Sequence, residues 1–400
     1  MSIRSFWINF TLLFVALSLS ALSIECSRAE IKRELKFKSD KRPLFRPPNA
    51  VEIADFGAWV SREGHRAQLK ELARTQQKAK SKVEGGSSSA IGGDNSYASF
   101  QSIQMYIVVD QSGNGQFTKV QDAIDSITPD ETRTERITIQ INPGYYNEKI
   151  VVPKNLPYLT IQGGGRLNTL IDHAETSEQG GSDIADATLA ISAPNFIARN
   201  ITFQNSAPAP PSGAVGQQAT AVCVAGDMAA FYGCGFVGAQ DTLYDHSGRH
   251  YFEECFIQGS IDFIYGDGKS LYKDSQLNVI PTMTGSLTAQ KRMNLSDDTG
   301  FSFVDCAVTG AGRVYLGRAW GTYSRVVFAQ TWLADILIPG GWDDWSDPAR
   351  DSTVYYGEYN CFGPGSSSNG RVGWSHQLSY QEAAPFLDLS FVDGEYWVSS

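Results

Sequence analysis

The chain has 400 residues, 42% of them hydrophobic, with 38 glycines against 5 methionines. This composition favours turns and β-structure over helical bundles. The formal net charge is −10, and residues 96–400 hold 17 Lys and Arg against 33 Asp and Glu. So acidic a main body argues against nucleic acid as a partner.

The N-terminal quarter contains two predicted segments before the main body. Arg4 precedes an apolar run over residues 6–22, which predicts a signal peptide over residues 1–24, with a retained anchor as the alternative. Residues 25–95 are basic and end in the sequence GGSSSAIGGDN, which indicates a disordered or processed arm and linker. A basic tether to an acidic polymer is the other interpretation of this arm. We expect the folded domain over residues 96–400 and no membrane association after signal removal.

A short helix is predicted at the start of the folded domain. Thr118 is a candidate N-cap, and Val120, Ile124 and Ile127 follow at helical spacing. Such a helix could cover the apolar end of a solenoid.

Similar strand sequences then recur along the chain: ITIQ (137–140), LTIQG (159–163), ITFQN (201–205), FYGCGF (231–236), FEECFI (252–257) and FVDCAV (301–306). Alternating β-branched and aromatic residues are typical of strands with one buried face. The first three begin 22 and then 42 residues apart, and FYGCGF and FEECFI begin 21 residues apart. Recurrence near 21 residues, or twice that, is typical of a solenoid. The sequence therefore predicts an all-β parallel β-helix with a short N-terminal capping helix.

One stretch repeats its pattern after 21 residues: Phe231, Cys234 and Asp241 return as Phe252, Cys255 and Asp262. If each period is one coil, Asp241 and Asp262 lie on neighbouring strands about 4.8 Å apart. Two carboxylates that close perturb each other's protonation, so we favour a catalytic pair over a structural role. Cys234 and Cys255 could form a disulfide or remain stacked free thiols.

No cofactor is indicated by the sequence. It has no Cys-x-x-Cys pair, and its five histidines (65, 173, 246, 250 and 376) are scattered. A metal site is therefore not expected.

Several motifs occur in an order that resembles the plant-type pectin methylesterase (pectinesterase) family. They are GYYNE (144–148), QATAV (218–222), GAQDTLYD (238–245), DFIYG (262–266) and LGRAWG (316–321). The resemblance runs from about residue 104 to the C-terminus. It implies a right-handed parallel β-helix that hydrolyses methyl esters of galacturonate in pectin and releases methanol. It also implies a monomer secreted to the cell wall that needs no cofactor and that a protein inhibitor could bind.

Residue roles follow from the same resemblance. Asp262 matches the family's nucleophile, and Asp241 matches its general acid and base. Gln240 and Gln218 match the glutamines that stabilise the oxyanion. Arg318 and Trp320 match the Arg and Trp of the substrate site, and Thr188 matches a substrate-contacting Thr. These roles agree with physical chemistry, because a cation beside one Asp favours its charged form while the other can hold a proton.

The aromatic residues near these motifs are ambiguous. We expect one of Phe263 and Tyr265 to be core and the other to line the groove, and Tyr145 and Tyr146 present the same choice. The sequence also departs from the family, with Ala319 where Pro is common and Tyr265 where Phe is common. Neither change removes a chemical group, so we expect activity. The N-terminal region is too short for the family's inhibitor-like pro-domain.

Two other functions fit part of the pattern. A β-helical glycoside hydrolase that cleaves the polygalacturonan backbone would also use two carboxylates about 5 Å apart. A catalytically silent cell-wall-binding homologue would keep the groove without turnover. The flanking glutamines and the Arg-x-Trp segment favour acyl chemistry. Asn294, in Asn-Leu-Ser, is a candidate glycosylation acceptor, whereas access to Asn200, in Asn-Ile-Thr on a repeat strand, looks doubtful.

Overall fold

The computed structural model describes residues 105–181, 184, 186–210, 216–280 and 284–398. The predicted signal peptide over residues 1–24 and the predicted arm and linker over residues 25–95 lie outside these ranges. Within them, no helix is long and apolar enough to cross a membrane.

Short strands are the main regular elements of the described chain. In chain order the first are β1 (Tyr106–Val109), β2 (Ile137–Ile141), β3 (Gly144–Asn147), β4 (Ile150–Val152), β5 (Leu159–Gly163), β6 (Thr169–His173), β7 (Leu189–Ile191), β8 (Ile197–Arg199), β9 (Thr202–Asn205), β10 (Val222–Val224), β11 (Ala229–Tyr232), β12 (Gly235–Val237), β13 (Leu243–Asp245) and β14 (Arg249–Glu253). The remainder are β15 (Phe256–Gly259), β16 (Ile264–Gly266), β17 (Lys269–Lys273), β18 (Gln276–Val279), β19 (Gly285–Gln290), β20 (Gly300–Val304), β21 (Ala307–Gly310), β22 (Val314–Ala319), β23 (Arg325–Ala329), β24 (Trp332–Leu333), β25 (Trp342–Asp343), β26 (Tyr355–Tyr359) and β27 (His376–Gln377).

These strands form three parallel sheets. The first sheet has the order β1-β2-β5-β8-β11-β14-β17-β20-β23-β26-β27. The second is β4-β7-β10-β13-β16-β19-β22-β25, and the third is β3-β6-β9-β12-β15-β18-β21-β24. Each coil visits the first, third and second sheets in turn, so every strand pairs with its counterpart in the next coil. The chain is therefore a right-handed parallel β-helix of the all-β class, as predicted.

Helical segments are few and short in the described chain. They comprise α1 (Val120–Asp125), α2 (Ser177–Gly180) and α3 (Tyr380–Ala383), with 3-10 turns at Pro348–Ser352, Ala384–Phe386, Leu389–Val392 and Gly394–Tyr396. Helix α1 matches the predicted helix, and it buries Val120, Ala123 and Ile124. Its N-cap is Lys119 rather than Thr118, and the Lys119 side chain makes no capping hydrogen bond to the helix. The carboxylate of Glu148 instead accepts from the backbone N–H groups of Val120 (3.0 Å) and Gln121 (3.1 Å). The sequence could not show this cap, because Glu148 lies a coil away.

Aromatic rings stack along the core from one coil to the next. The ring centroids of Phe231 and Phe252 are 4.9 Å apart, those of Phe252 and Tyr272 are 4.4 Å apart, and those of Tyr272 and Phe303 are 4.5 Å apart. Offset stacking of this kind adds about 0.5–1.5 kcal/mol per pair beyond the burial of apolar area. This stack fixes the register of successive coils and so aligns the residues on the outer face.

Buried cysteines also recur from coil to coil, and their side chains are free thiols. Cys234 and Cys255 are free and buried, and so is Cys306, two coils beyond Cys255. Burial raises the pKa of the Cys234 thiol to about 12. Of the two alternatives left open by the sequence, the structure has stacked thiols in place of a disulfide.

Candidate active site

Asp241 and Asp262 occupy equivalent positions on adjacent coils. Gln240 bridges to Ile261, and the backbone N–H of Asp241 donates to the Ile261 carbonyl at 3.0 Å. Both aspartates take the left-handed conformation, with φ of 59° and 48°, which Asp tolerates better than most residues. They are 9% and 7% exposed. The pair therefore lies side by side at the corner where the chain enters the second sheet.

Three donors hold the Asp262 carboxylate. Arg318 forms a bidentate ion pair with it, in which Nε lies 3.1 Å from Oδ1 and Nη2 contacts Oδ2. The hydroxyl of Ser286 donates to Oδ1 as well. An ionised carboxylate is an acceptor only and is matched by this set of donors. These donors hold the Asp262 carboxylate in one orientation.

Arg318 is in electrostatic reach of both aspartates. Burial opposes its charge, but the hydrogen bond to Asp262 and the attraction of Asp262, Asp343 and Asp241 together raise the pKa of the guanidinium. Its guanidinium carbon lies 4.3 Å from the ring centroid of Trp345. This cation–π contact helps to hold the guanidinium group in place. Trp345 contacts it from the next coil, on the side away from the two aspartates.

Ser286 was not found by sequence reasoning. It precedes Thr288, which pairs with Ile264, so Ser286 occupies the position of Asp262 one coil further on. The separation is 24 residues instead of 21, because an insertion lies between β18 and β19. Alignment of the strand GSLTAQ with DFIYG would have revealed it.

Gln240 directly precedes Asp241 in the same coil, and Gln218 lies on the coil before it. The Gln240 carbonyl accepts from Ala219 N–H at 3.2 Å, which ties the two segments together. Both glutamines are half-buried, and neither side-chain amide hydrogen-bonds another described residue. Their NH₂ groups can therefore donate to a bound group beside the carboxylates.

An aromatic wall flanks the charged residues. The Tyr265 and Tyr244 rings stack at 4.4 Å, and the Tyr265 and Trp320 centroids are 6.2 Å apart. The extra hydroxyl of Tyr265 is hydrogen-bonded to the Thr220 hydroxyl at 2.9 Å. Trp320 is half-buried, so part of its ring remains available to a ligand.

The loop that carries Trp320 is secured without the proline that is common in the family. Ala319 closes β22 and is fully buried. Arg350 donates to the carbonyl of Ala319 and to that of Trp320, the latter at 3.2 Å. Hydrogen bonds from a distant segment thus supply the rigidity that a fixed φ would otherwise give.

Four residues predicted to bind substrate are buried or distant from the aspartate pair. Phe263 is fully buried in the main core cluster and Tyr265 is only 3% exposed, so the expectation that one of the two lines the groove was wrong. Thr188 is also fully buried, and its hydroxyl donates to the Gln204 carbonyl at 2.8 Å, which leaves no surface for a sugar. Tyr145 is 52% exposed but lies in β3, three coils before Asp241, or about 14 Å along the axis.

Among the described residues, no group of three or more His, Cys, Asp or Glu side chains is placed to hold a metal ion. The site therefore consists of two aspartates, an arginine, two glutamines and an aromatic wall. These groups can supply a nucleophile, a proton donor and oxyanion contacts, which together suit acyl transfer.

Comparison with known proteins agrees with this chemistry. The family model described as Pectinesterase matches residues 106–395. The chain is 44% identical over 301 residues to probable pectinesterase 8 of Arabidopsis thaliana, which covers 73% of this chain and 76% of that protein. It is 46% identical over 297 residues to putative pectinesterase 14 of the same organism, which covers 74% and 88%. Among solved structures, the pectin methylesterase from carrot superposes with a TM-score of 0.69 at 32% identity, covering 78% of this chain and 97% of that one. The chain belongs to the pectinesterase family.

Proposed function

We propose that this chain hydrolyses the methyl esters of galacturonate in pectin, releases methanol and leaves demethylated pectin, with Asp262 as nucleophile. The observation that carries the proposal is the bidentate Arg318–Asp262 ion pair next to a second carboxylate on the adjacent coil. Membership of the pectinesterase family supports ester hydrolysis over cleavage of the polysaccharide backbone and over a silent binding role.

The first half-reaction forms a covalent intermediate. An Asp262 oxygen attacks the ester carbonyl carbon, and the resulting oxyanion accepts hydrogen bonds from the amides of Gln218 and Gln240. Loss of one such donor typically costs about 100- to 1,000-fold in rate. The tetrahedral species collapses when the bond to the methoxy oxygen breaks. Asp241 donates its proton to that oxygen, so methanol leaves and an acyl anhydride remains on Asp262.

The second half-reaction returns the enzyme to its starting state. Asp241, now a carboxylate, takes a proton from water as the water oxygen attacks the acyl carbon. The bond between that carbon and the Asp262 oxygen breaks and releases the galacturonic acid carboxyl group, which then loses the second proton of the water molecule to solvent. Asp241 is again protonated and Asp262 is again charged beside Arg318. Asp241 thus gives up one proton in the first half-reaction and regains one in the second.

The aromatic wall supports substrate positioning in this proposal. Trp320 offers an apolar face to a sugar ring near the reacting ester, and the buried Tyr265 packs beside it, whereas Arg318 holds the nucleophile. Stacking on rings that are themselves packed costs little conformational entropy on binding.

The test is methanol release from highly methylated pectin by the full chain, with Asp262→Ala alongside. We expect methanol from the wild type and none from the variant. Asp305→Ala is the matched control, because Asp305 is another left-handed aspartate at a coil corner, with φ of 55°. Reducing ends without methanol would instead identify a backbone hydrolase.

We further propose that the protein is a secreted monomer of the cell wall, that residues 1–24 are its signal peptide and that a protein inhibitor can bind it. Asn294 is exposed, which supports glycosylation there. Asn200 is also exposed, in the left-handed turn after β8, so it is a second candidate acceptor. Removal of N-glycans from protein secreted by plant cells should lower its mass at these two sequons, and an unchanged mass would contradict the proposal. Size-exclusion chromatography tests the monomer.

A further inference from the structure

Lys291 stands beside the aromatic wall of the candidate active site. β19 ends at Gln290, which pairs with Gly266 on one neighbouring coil and with Ala319 on the other. The next residues in these three coils are therefore aligned, and they are Asp267, Lys291 and Trp320. Their row lies two residues beyond the row of Tyr265 and Arg318. Lys291 thus extends the outer face that carries the catalytic groups.

The ammonium group of Lys291 lies over the indole of Trp320. Nζ is 4.4 Å from the ring centroid, within the range of a cation–π interaction. Trp320 in turn is 6.2 Å from Tyr265, measured between ring centroids. A sugar ring that stacked on this wall would therefore bring its substituents next to a fixed positive charge.

Lys291 differs from the other cations near the site in what it contacts. Arg318 is paired with Asp262, and Arg350 is paired with Asp347. Lys291 forms no ion pair with any described residue, although Asp267 and His246 are close enough to interact with its charge. It is half-buried rather than extended into solvent. Its charge is thus available to a ligand and partly held in place.

We propose that Lys291 binds the free carboxylate of a galacturonate unit next to the one whose ester reacts, and so determines how the enzyme responds to partly demethylated pectin. The inference rests on the proposed function of the site. A methyl ester at that position offers no charge, whereas a free carboxylate offers an anion that an ammonium group attracts. A structural role, in which Lys291 only supports Trp320, would treat both forms alike.

Direct binding tests this without turnover. The probes are a fully demethylated and a fully methylated hexagalacturonate, titrated calorimetrically into the full chain carrying Asp262→Ala, which by the proposed mechanism cannot hydrolyse the methyl esters; every variant below is made in this background. Lys291→Met keeps the aliphatic contact with Trp320 but removes the charge, and it should weaken binding of the demethylated hexamer about two- to fivefold at low salt. The loss should shrink at high salt, binding of the methylated hexamer should not change, and Lys291→Arg should bind like the Asp262→Ala parent.

The control is Lys154→Met, a change of the same charge at an exposed lysine in the turn after β4, five coils from Lys291. It should leave binding of both hexamers unchanged. Equal losses for both hexamers in Lys291→Met, or no loss for either, would overturn the inference. Because binding is measured without catalysis, such a result is distinct from failure of the methanol assay, which would overturn the proposed function instead.

Discussion

The hydroxyl of Ser286 donates a hydrogen bond to Oδ1 of Asp262, and the backbone N–H of Asp262 donates to the Ser286 oxygen at 3.3 Å. This reciprocal contact joins two adjacent coils at the proposed nucleophile. Arg318 approaches the same carboxylate from the coil beyond. Ser286 is fully buried, so water cannot replace its hydroxyl. We interpret Ser286 as a positioning residue that sets the rotation of the Asp262 carboxylate.

Ser286→Ala should lower kcat about 10- to 100-fold, because a hydrogen bond to a charged group contributes about 1.5–3 kcal/mol. KM should change little, since Ser286 has no exposed surface. Initial rates of methanol release over a range of pectin concentrations measure both constants. Ser302→Ala is the control, because Ser302 is also buried in a strand and donates to the Phe386 carbonyl. If both variants lost activity in proportion to their melting temperatures, the positioning role would be refuted.

Asp241→Asn should fold but release methanol at least about 100-fold more slowly, because Asn can neither donate nor accept the proton that the two half-reactions exchange. The nucleophile and oxyanion donors remain, so a phenyl ester of galacturonate, whose leaving group needs no protonation, should still acylate Asp262. Rapid-mixing kinetics should then show a burst of about one phenol per enzyme. Near-normal methanol release would exclude Asp241 as the general acid.

The 21-residue repeat predicted more of this structure than did the alternation of buried and exposed residues along single strands. The 21-residue repeat placed Asp241 and Asp262 on adjacent coils, because the coil between them contains no insertion. The predicted groove role of Phe263 failed for a local reason. Asp262 is left-handed, so the strand alternation breaks there, and Phe263 and Ile264 both face the core in succession. Nothing in a hydrophobic pattern signals such a break.

Two side-chain contacts between neighbouring coils were also missed by the sequence analysis. Ser286 was missed because the insertion before β19 changed the period, and the capping role of Glu148 was missed because it comes from a neighbouring coil. The proposed roles of Asp241, Asp262, Gln218, Gln240 and Arg318 came from motif resemblance. The structure adds the ion pair and the aromatic stacking to those assignments, and the assays described above test the roles themselves.

Phe263 and Trp320 should respond differently to substitution. Phe263→Leu removes core volume, and the Phe263 side chain packs against Gly259 so closely that little rearrangement is available. We expect a loss of about 1 kcal/mol in the free energy of unfolding and an unchanged KM. Trp320→Ala should instead raise KM several-fold with a smaller effect on stability, because its ring is half-buried. Chemical denaturation and methanol kinetics on both variants provide the comparison, and a raised KM in Phe263→Leu would restore its groove role.

His246 should titrate below its ordinary pKa of 6.5, because burial disfavours its charged form and Lys291 adds repulsion. Repulsion from His250 also lowers the pKa of His246, whereas Asp245 and Asp267 oppose the shift. The unfolded chain therefore takes up the proton at higher pH than the folded chain, so the free energy of unfolding should fall as pH decreases through about 6.5.

The imidazole resonances of His246 across pH, assigned with His246→Gln, measure this directly by NMR. Lys291→Met removes the repulsion and should raise the pKa, although burial should still hold it below 6.5. Lys154→Met should leave the titration unchanged. A wild-type His246 that titrated at or above 6.5, or one insensitive to Lys291→Met, would mean that the ammonium group does not act on this side of the groove.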